Sequence, residues 1–146
     1  MRIALVAARE ALASADFPVG AAIFNKVGEL IATGHNEREL HNDPTAHAEI
    51  VAIRRASEKL GNWQLADHTL VVTLEPCAMC AGAIAQSRLQ TVVFGAWDEK
   101  AGAVGSMWDL LRDPRSTFRT EVRAGVLAEE CGDLIKSFIQ EVRKKD

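Results

Sequence analysis

The sequence predicts an α/β fold, a three-layer α/β/α sandwich with a central mixed sheet of about five strands. Short and almost wholly apolar runs, typical of strands buried on both faces, alternate with helical patterns in the middle of the chain. Such alternation places helices on both faces of a sheet. Two apolar runs near the N-terminus are close enough to pair as a hairpin, which makes the sheet mixed.

The N-terminal part of the chain predicts a helix followed by that hairpin. Residues 2–14 carry apolar side chains at helical spacing, and helix-breaking residues follow at 16–20. Residues 21–24 and 30–33 are the two short apolar runs. Gly28 lies in their connection, so we expect a β-hairpin there.

The middle of the chain predicts two helices with a strand between them. Asp43-Pro44-Thr45 is expected to open a helix, because it combines a polar capping residue with proline near the first turn. We expect this helix to end near Gly61. Residues 69–73 predict a buried strand. After Pro76 the chain is rich in alanine, and residues 77–87 predict the second helix.

The last part of the chain predicts two more strands and a closing helix. Residues 91–94 are expected to form a buried strand, before a glycine-rich stretch at 95–106. A strand at 118–122 and an amphipathic helix at 128–143 follow. The chain has 146 residues, the usual size of one compact domain. We therefore expect residues 1–146 to form a single domain.

Composition and charge restrict the class of protein. Three cysteines, two of them in one Cys-x-x-Cys, make a poor disulfide framework and favour a metal-binding or redox pair in a reducing compartment. No apolar run approaches the ~20 residues that span a bilayer. The amphipathic N-terminus does not resemble a secretory signal, so a cytoplasmic location is expected. The net charge of −3 argues against a large nucleic-acid footprint but permits a local one.

Two short segments carry the residues of a metal site. They are His47-Ala48-Glu49 and Pro76-Cys77-Ala78-Met79-Cys80, each at the predicted N-terminal end of a helix. Side chains tilt toward a helix's N-terminus, so residues of the first turn can surround a site on the helix axis. The positive ends of two helix dipoles also favour the thiolates that zinc requires.

This donor set suits catalytic zinc. One histidine and two cysteines leave a fourth coordination position open for water, whereas structural sites are normally closed by a fourth protein ligand. Zinc makes water a nucleophile near neutral pH. Glu49 is then placed to act as the proton shuttle. The motif H-x-E followed by P-C-x-x-C is the signature of zinc-dependent nucleobase deaminases.

Other interpretations of these residues are less favoured. A redox-active Cys77/Cys80 pair would leave the distant His-x-Glu unexplained. Structural or surface roles are expected for His35, His41 and His68. Cys131 falls on an apolar helical pattern, and it is expected to pack in the core rather than to act as a fourth metal ligand. Glu75 borders the site. It is expected to fix a strand end or to hold other residues of the site in place without contacting the substrate.

Longer segments resemble the bacterial tRNA-specific adenosine deaminases almost from end to end. They are more specific than the zinc signature, which cytosine, guanine and cytidine deaminases share. The matching segments are Pro18–Ala21, Asn36, Asp43–Glu49, Thr73–Ala83, Ser87-Arg88, Val92–Ala96, Asp98, Gly105-Ser106 and Leu127–Cys131.

The resemblance implies a cytidine-deaminase-like fold and hydrolysis of adenosine to inosine at the wobble position of a tRNA anticodon. Zinc-bound hydroxide would attack C6 of the base with Glu49 moving the protons. It also implies one zinc per subunit, a homodimer and, as substrate, the anticodon stem-loop of an arginine tRNA.

The resemblance further implies roles for five residues. Asn36 would hydrogen-bond the flipped nucleotide and the backbone of Ala48 would meet the purine edge. Arg38, Asp98 and Lys100 would contact the anticodon loop.

Some features depart from the family pattern or leave the function open. Trp97 stands where a polar or basic residue is expected, and it could stack on an unpaired base or pack at a dimer interface. Two other functions are considered. A free-base or nucleoside deaminase of the guanine or cytosine type would use the same metal site on a small molecule. A non-catalytic zinc module would need a fourth protein ligand.

Overall fold

Five strands form one sheet in the order β2-β1-β3-β4-β5. The computed structural model describes residues 1–145 of the chain. The strands are β1 Gly20–Phe24, β2 Leu30–His35, β3 Thr69–Leu74, β4 Thr91–Ala96 and β5 Glu121–Arg123. The helices are α1 Arg2–Glu10, which continues as a 3-10 turn at Ala11–Ser14, α2 Arg38–His41, α3 Ala48–Leu60, α4 Ala78–Gln86 and α5 Ala128–Arg143.

The sheet is mixed, as the sequence predicts. Strand β1 runs antiparallel to both β2 and β3, whereas β3, β4 and β5 are parallel to one another. The carboxyl ends of the three parallel strands therefore lie at the same edge of the sheet. The loops after β3 and β4 begin at that edge, which brings Glu75 to Cys77 close to Trp97 and Asp98.

Helices cover both faces of the sheet, and Gly20 and Gly34 mark where α1 and α3 pack closely on it. A Cβ atom on Gly20 would lie 2.0 Å from the Ala4 carbonyl oxygen, so α1 packs directly on the backbone of β1. Gly34 of β2 pairs with Ala21, the residue that follows Gly20 in β1. Because successive residues of a strand face opposite sides of the sheet, Gly34 faces the side opposite to Gly20. A Cβ atom there would lie 2.6 Å from the carbonyl oxygen of Ala48 in α3. Helices α1 and α3 thus pack on opposite faces.

The sandwich has one apolar core on each side of the sheet. The larger core joins the sheet to α3 and α4 through buried side chains such as Ile23, Ala52, Ile84 and Phe94. The smaller core lies under α1 and α5. The three-layer α/β/α architecture is therefore confirmed. No helix in the described part of the chain is long and apolar enough to cross a membrane.

Most elements lie within two residues of their predicted bounds, and two starts differ by more. Helix α3 begins at Ala48 rather than at Asp43, because the Asp43 carboxylate accepts hydrogen bonds from the backbone N–H and hydroxyl of Thr45. That local turn competes with helix formation. The last strand covers 121–123 instead of 118–122, since the carbonyl of Phe118 is engaged by the Ser116 hydroxyl. Helix α5 has the predicted bounds.

Candidate active site and metal centre

The two signature segments meet because each one begins a helix at the same end of the molecule. His47 and Cys77 are the N-cap residues of α3 and α4, and both have extended backbone conformations, with ψ of 154° and 176°. Glu49 and Cys80 follow in the first turns of the two helices. Both helix N-termini therefore contribute positive potential to one site, which favours thiolate and carboxylate groups.

The three predicted ligands are close enough to share one metal ion. His47 Nδ1 lies 3.6 Å from Cys77 Sγ and 3.5 Å from Cys80 Sγ. Tetrahedral zinc, with Zn–S near 2.3 Å and Zn–N near 2.0–2.1 Å, requires an N···S separation of about 3.6 Å. The donor atoms therefore fit zinc. Within residues 1–145 this group has three members and no fourth protein ligand.

The electrostatics of the group favour a thiolate. The pKa of Cys77 is lowered to about 3, first because the Cys80 thiol donates a hydrogen bond to it and also because His47 does. The same contact raises the pKa of Cys80. The hydrogen bond with Cys77 also raises the pKa of His47. The three side chains thus hydrogen-bond to one another through the same nitrogen and sulfur atoms that would bind a soft metal cation.

Glu49 lies beside the ligands without joining them. Its side chain is only 4% exposed, and burial raises the pKa of its carboxyl to about 7. The Cys80 side chain is within hydrogen-bonding reach. A carboxyl group that changes protonation near neutral pH, next to a metal and not bound to it, has the properties of a general acid and base.

A cavity of about 240 Å³ is lined by two of the candidate metal ligands, His47 and Cys77, and by Glu49. Four of the five residues that the resemblance assigns to substrate line it, and Lys100 does not. Lys100 lies on the exposed loop next to Asp98. The cavity is lined by Phe17, Val19, Asn36, Arg38, His47, Ala48, Glu49, Leu74, Glu75, Cys77, Asp98 and Ala101.

Asn36 is the one buried polar side chain of the described residues whose oxygen has no partner. Its Oδ1 accepts no hydrogen bond, although the side chain is 6% exposed and faces the cavity. A buried acceptor without a donor costs free energy, so it favours a ligand that supplies one.

Buried carboxylates hold the segment that carries Asn36 and Arg38. Glu37 is 5% exposed and its Oε1 lies 2.6 Å from Arg55, while Oε2 lies 3.1 Å from His41. Asp16 accepts hydrogen bonds from the backbone N–H groups of Glu39 and Leu40 in α2. His35 also lies 3.5 Å from Glu37, so two of the non-ligand histidines support this segment.

The other residues singled out in the sequence lie away from the metal. Cys131 is buried against Gly95, as expected of a small apolar side chain, and it does not approach the ligands. Trp97 packs edge-on against Phe94, with ring centroids 4.9 Å apart, and remains half exposed.

Sequence reasoning missed part of the cavity wall. Phe17 and Val19 precede β1, Leu74 ends β3, and Ala101 belongs to the loop after β4. Their common signal is position, since Phe17, Val19 and Leu74 lie at or near strand ends and Ala101 lies in the loop that follows one. Phe17 in turn packs edge-on against Phe138 of α5, at 5.6 Å between ring centroids.

Comparison with known proteins identifies the family. The cytidine and deoxycytidylate deaminase zinc-binding region matches residues 1–96. A tRNA-specific adenosine deaminase of Bacillus subtilis (strain 168) is 46% identical over 99% of this chain and 89% of its own length. One from Haemophilus influenzae is 45% identical, over 99% of this chain and 84% of its own.

Solved structures agree with this grouping. A structure from a study of A-to-I editing by tRNA:A34 deaminases superposes with a TM-score of 0.88 and 40% identity, covering 92% of this chain and 96% of its own. A guanine deaminase from Nitrosomonas europaea gives a TM-score of 0.78 and 28% identity, covering 94% and 81%. The chain therefore belongs to the zinc-binding cytidine and deoxycytidylate deaminase family, within the group of tRNA-specific adenosine deaminases.

Proposed function

We propose that this protein converts adenosine to inosine at the wobble position of a tRNA anticodon. The observation that carries the proposal is a cluster of three side chains that fits zinc, next to a buried Glu49 that lines the same cavity as His47 and Cys77. The choice of tRNA adenosine rests on the 46% identity to a tRNA-specific adenosine deaminase over nearly the whole chain.

Glu49 moves the protons of the reaction. Zinc, held by His47, Cys77 and Cys80, supplies the Lewis acidity that makes water a nucleophile at neutral pH. Glu49 accepts a proton from the attacking water and delivers it to N1 of the base as oxygen adds to C6. It then passes the second proton to the amino group, and ammonia leaves as the inosine carbonyl forms.

The cavity wall binds the base. The Asn36 oxygen without a partner accepts a hydrogen bond from the flipped nucleotide, and the backbone of Ala48 meets the purine edge. Arg38, the first residue of α2, and Asp98, in the loop after β4, both line the cavity, and the exposed Lys100 lies two residues after Asp98. An anticodon loop suits this arrangement, because its bases unstack at a lower cost than those of a duplex.

We further infer a homodimer that acts in the cytoplasm on an arginine tRNA. Support for the dimer comes from apolar side chains that remain exposed near the start of α4. Met107 and Trp108 are 53% and 49% exposed, and both donate backbone hydrogen bonds to Gly102, which bridges to Cys77. Light scattering coupled to gel filtration measures the mass, and a monomer at micromolar concentration contradicts the dimer.

The central experiment measures inosine on an arginine tRNA anticodon stem-loop. We expect conversion with adenosine at the wobble position and none when that base is guanosine, cytidine or uridine. Glu49→Ala is expected to retain one zinc per chain and to lose nearly all turnover. Glu58→Ala, the same change at an exposed position of α3, is the matched control and should behave as wild type. Near-normal turnover by Glu49→Ala would show that Glu49 is not the shuttle.

A small-molecule deaminase is the second candidate, because guanine deaminase structures superpose on 94% of the chain. Incubation with free adenine, guanine, cytosine and cytidine separates the two functions. Fast release of ammonia from any of these, with no inosine in the stem-loop, would replace the proposed substrate.

A further inference from the structure

Glu75 is a fully buried carboxylate that the proposed chemistry does not use. It follows β3, lies two residues before Cys77 and is 2% exposed. Its Oε1 accepts hydrogen bonds from the backbone N–H of Asp98 at 3.2 Å and from the Ser106 hydroxyl. Its Oε2 accepts from the backbone N–H groups of Val104 and Ser106, both at 3.1 Å.

These four bonds occupy the carboxylate. An ionised carboxylate has about four acceptor positions, two on each oxygen. With two donors on each oxygen, Glu75 has no acceptor position left for a metal ion, a water or a substrate proton. All four donors belong to residues 98–106, the loop that follows β4. Glu75 therefore acts on that loop and not on the reacting atoms.

The loop is built around this carboxylate. A Cβ atom on Gly102 would lie 2.3 Å from the carboxyl carbon of Glu75 and 2.5 Å from the Asp98 carbonyl oxygen, so no larger residue fits there. The next residue, Ala103, donates its backbone N–H to the Pro76 carbonyl oxygen at 2.8 Å. The loop is thereby joined to Glu75 and to the residue after it, directly beside Cys77.

The same loop forms one wall of the cavity. Asp98 and Ala101 line it, together with Asn36 and Arg38 from the segment between β2 and α3. Asp98 also accepts hydrogen bonds from the backbone N–H groups of Lys100 and Ala101, so residues 98–101 form one hydrogen-bonded turn. If the Glu75 carboxylate no longer held this turn, the metal ligands at the starts of α3 and α4 would stay in place. The cavity wall that faces the substrate would shift.

We propose that Glu75 is a positioning residue for the RNA substrate, which fixes the 98–106 loop and so determines how well the anticodon loop binds. This inference rests on the proposed function. It predicts that loss of the carboxylate weakens substrate binding and leaves the chemical step at the metal centre intact.

The test is Glu75→Gln, which keeps the shape of the side chain but replaces one acceptor oxygen with an N–H donor that faces other donors. Glu99→Gln is the matched control, because it makes the same change in charge at an exposed position of the same loop. On the stem-loop we expect KM to rise about tenfold for Glu75→Gln, with kcat within a factor of two and one zinc per chain. For Glu99→Gln, KM, kcat and zinc content should all stay within a factor of two of the wild-type values.

Hydrogen exchange provides a readout that does not depend on catalysis. The backbone amides of Asp98, Val104 and Ser106 should exchange faster in Glu75→Gln, while amides of α3 keep their wild-type rates. A fall in kcat at unchanged KM, a loss of zinc, or unchanged exchange in the loop would each overturn the proposal.

A second variant keeps the test decisive if Glu75→Gln does not fold. Ser106→Ala removes the hydroxyl donor alone, and we expect a smaller rise in KM, about threefold, again with kcat retained. A Ser106→Ala enzyme with wild-type KM and wild-type exchange would count against the proposal. A wild-type protein that makes no inosine would contradict the proposed function instead, and the exchange experiment would still decide whether Glu75 holds the loop.

Discussion

Replacing Gly34 with alanine should damage both the stability of the fold and the zinc site. Gly34 is the residue of β2 at which α3 approaches the sheet. The added methyl group would lie 2.6 Å from the Ala48 carbonyl oxygen and 2.6 Å from the Ala52 backbone nitrogen, and ordinary contact begins at 3.4 Å. Both neighbours are backbone atoms of α3, so no side-chain rotation relieves the contact. The helix must move away from the sheet by about 0.8 Å.

The magnitude follows from that displacement. Overpacking a core in this way costs about 1–3 kcal/mol. At this chain length each kcal/mol lowers Tm by about 4 °C. His47 precedes Ala48 directly, and ligand distances in a metal site tolerate only about ±0.2 Å. A shift of the helix start therefore moves His47 beyond the reach of the Cys77–Cys80 pair, and we expect zinc affinity to fall at least tenfold.

Thermal unfolding and competition with a chromophoric zinc chelator measure the two effects separately. Gly132→Ala is the matched control, because a Cβ atom in that position of α5 meets nothing within 4 Å. It should stabilise the protein by about 0.5–1 kcal/mol, since alanine favours a helix interior over glycine. Wild-type Tm and wild-type zinc affinity in Gly34→Ala would refute the argument that this close approach positions His47.

Three further outcomes are expected. Chelation of zinc should lower the unfolding free energy by about 4 kcal/mol relative to protein with zinc at a thousandfold its Kd, reversibly on readdition. Asp16→Asn should cost about 1 kcal/mol in urea unfolding, because an amide oxygen cannot replace both acceptor atoms that hold α2. Burial raises the pKa of Asp16, but hydrogen bonds from Ser14 and α2 keep it below 3.8, so this stabilisation exists at neutral pH and the difference from wild type should shrink as pH falls below about 4. Phe138→Ala should cost at least about 1 kcal/mol in the same assay and raise KM on the stem-loop, since Phe138 supports Phe17 in the cavity wall.

Much of the fold could be predicted because its signals are local. Helix α5 shows a continuous amphipathic pattern and was predicted with its observed bounds, and the buried strands were recognised from their apolar runs. The start of α3 was predicted wrongly at Asp43, although its residues have the composition of a helix start. The same carboxylate that could cap a helix instead closes a turn on Thr45, and composition alone does not distinguish these two uses.

The site divides in the same way. The cluster of His47, Cys77 and Cys80 could be predicted because their spacing and donor types point to one metal site. The cavity wall could not, since Phe17 is supported by Phe138 at the other end of the chain. Glu37 likewise gains its role from Arg55, which α3 brings to it. Contacts between distant segments leave no periodic trace in the sequence.

Glu49 and Glu75 illustrate why burial alone does not assign a role to a carboxylate. Both are glutamates that are at most 4% exposed, and both line the same cavity. Glu75 accepts four hydrogen bonds from one loop, so its lone pairs are committed to structure. Glu49 stands next to the metal ligands, and burial raises its pKa to about 7, where a carboxyl group can both accept and release a proton. Donors from one loop hold the Glu75 carboxylate in place, whereas Glu49 is buried beside the metal ligands, and the proposed function therefore assigns a positioning role to Glu75 and proton transfer to Glu49.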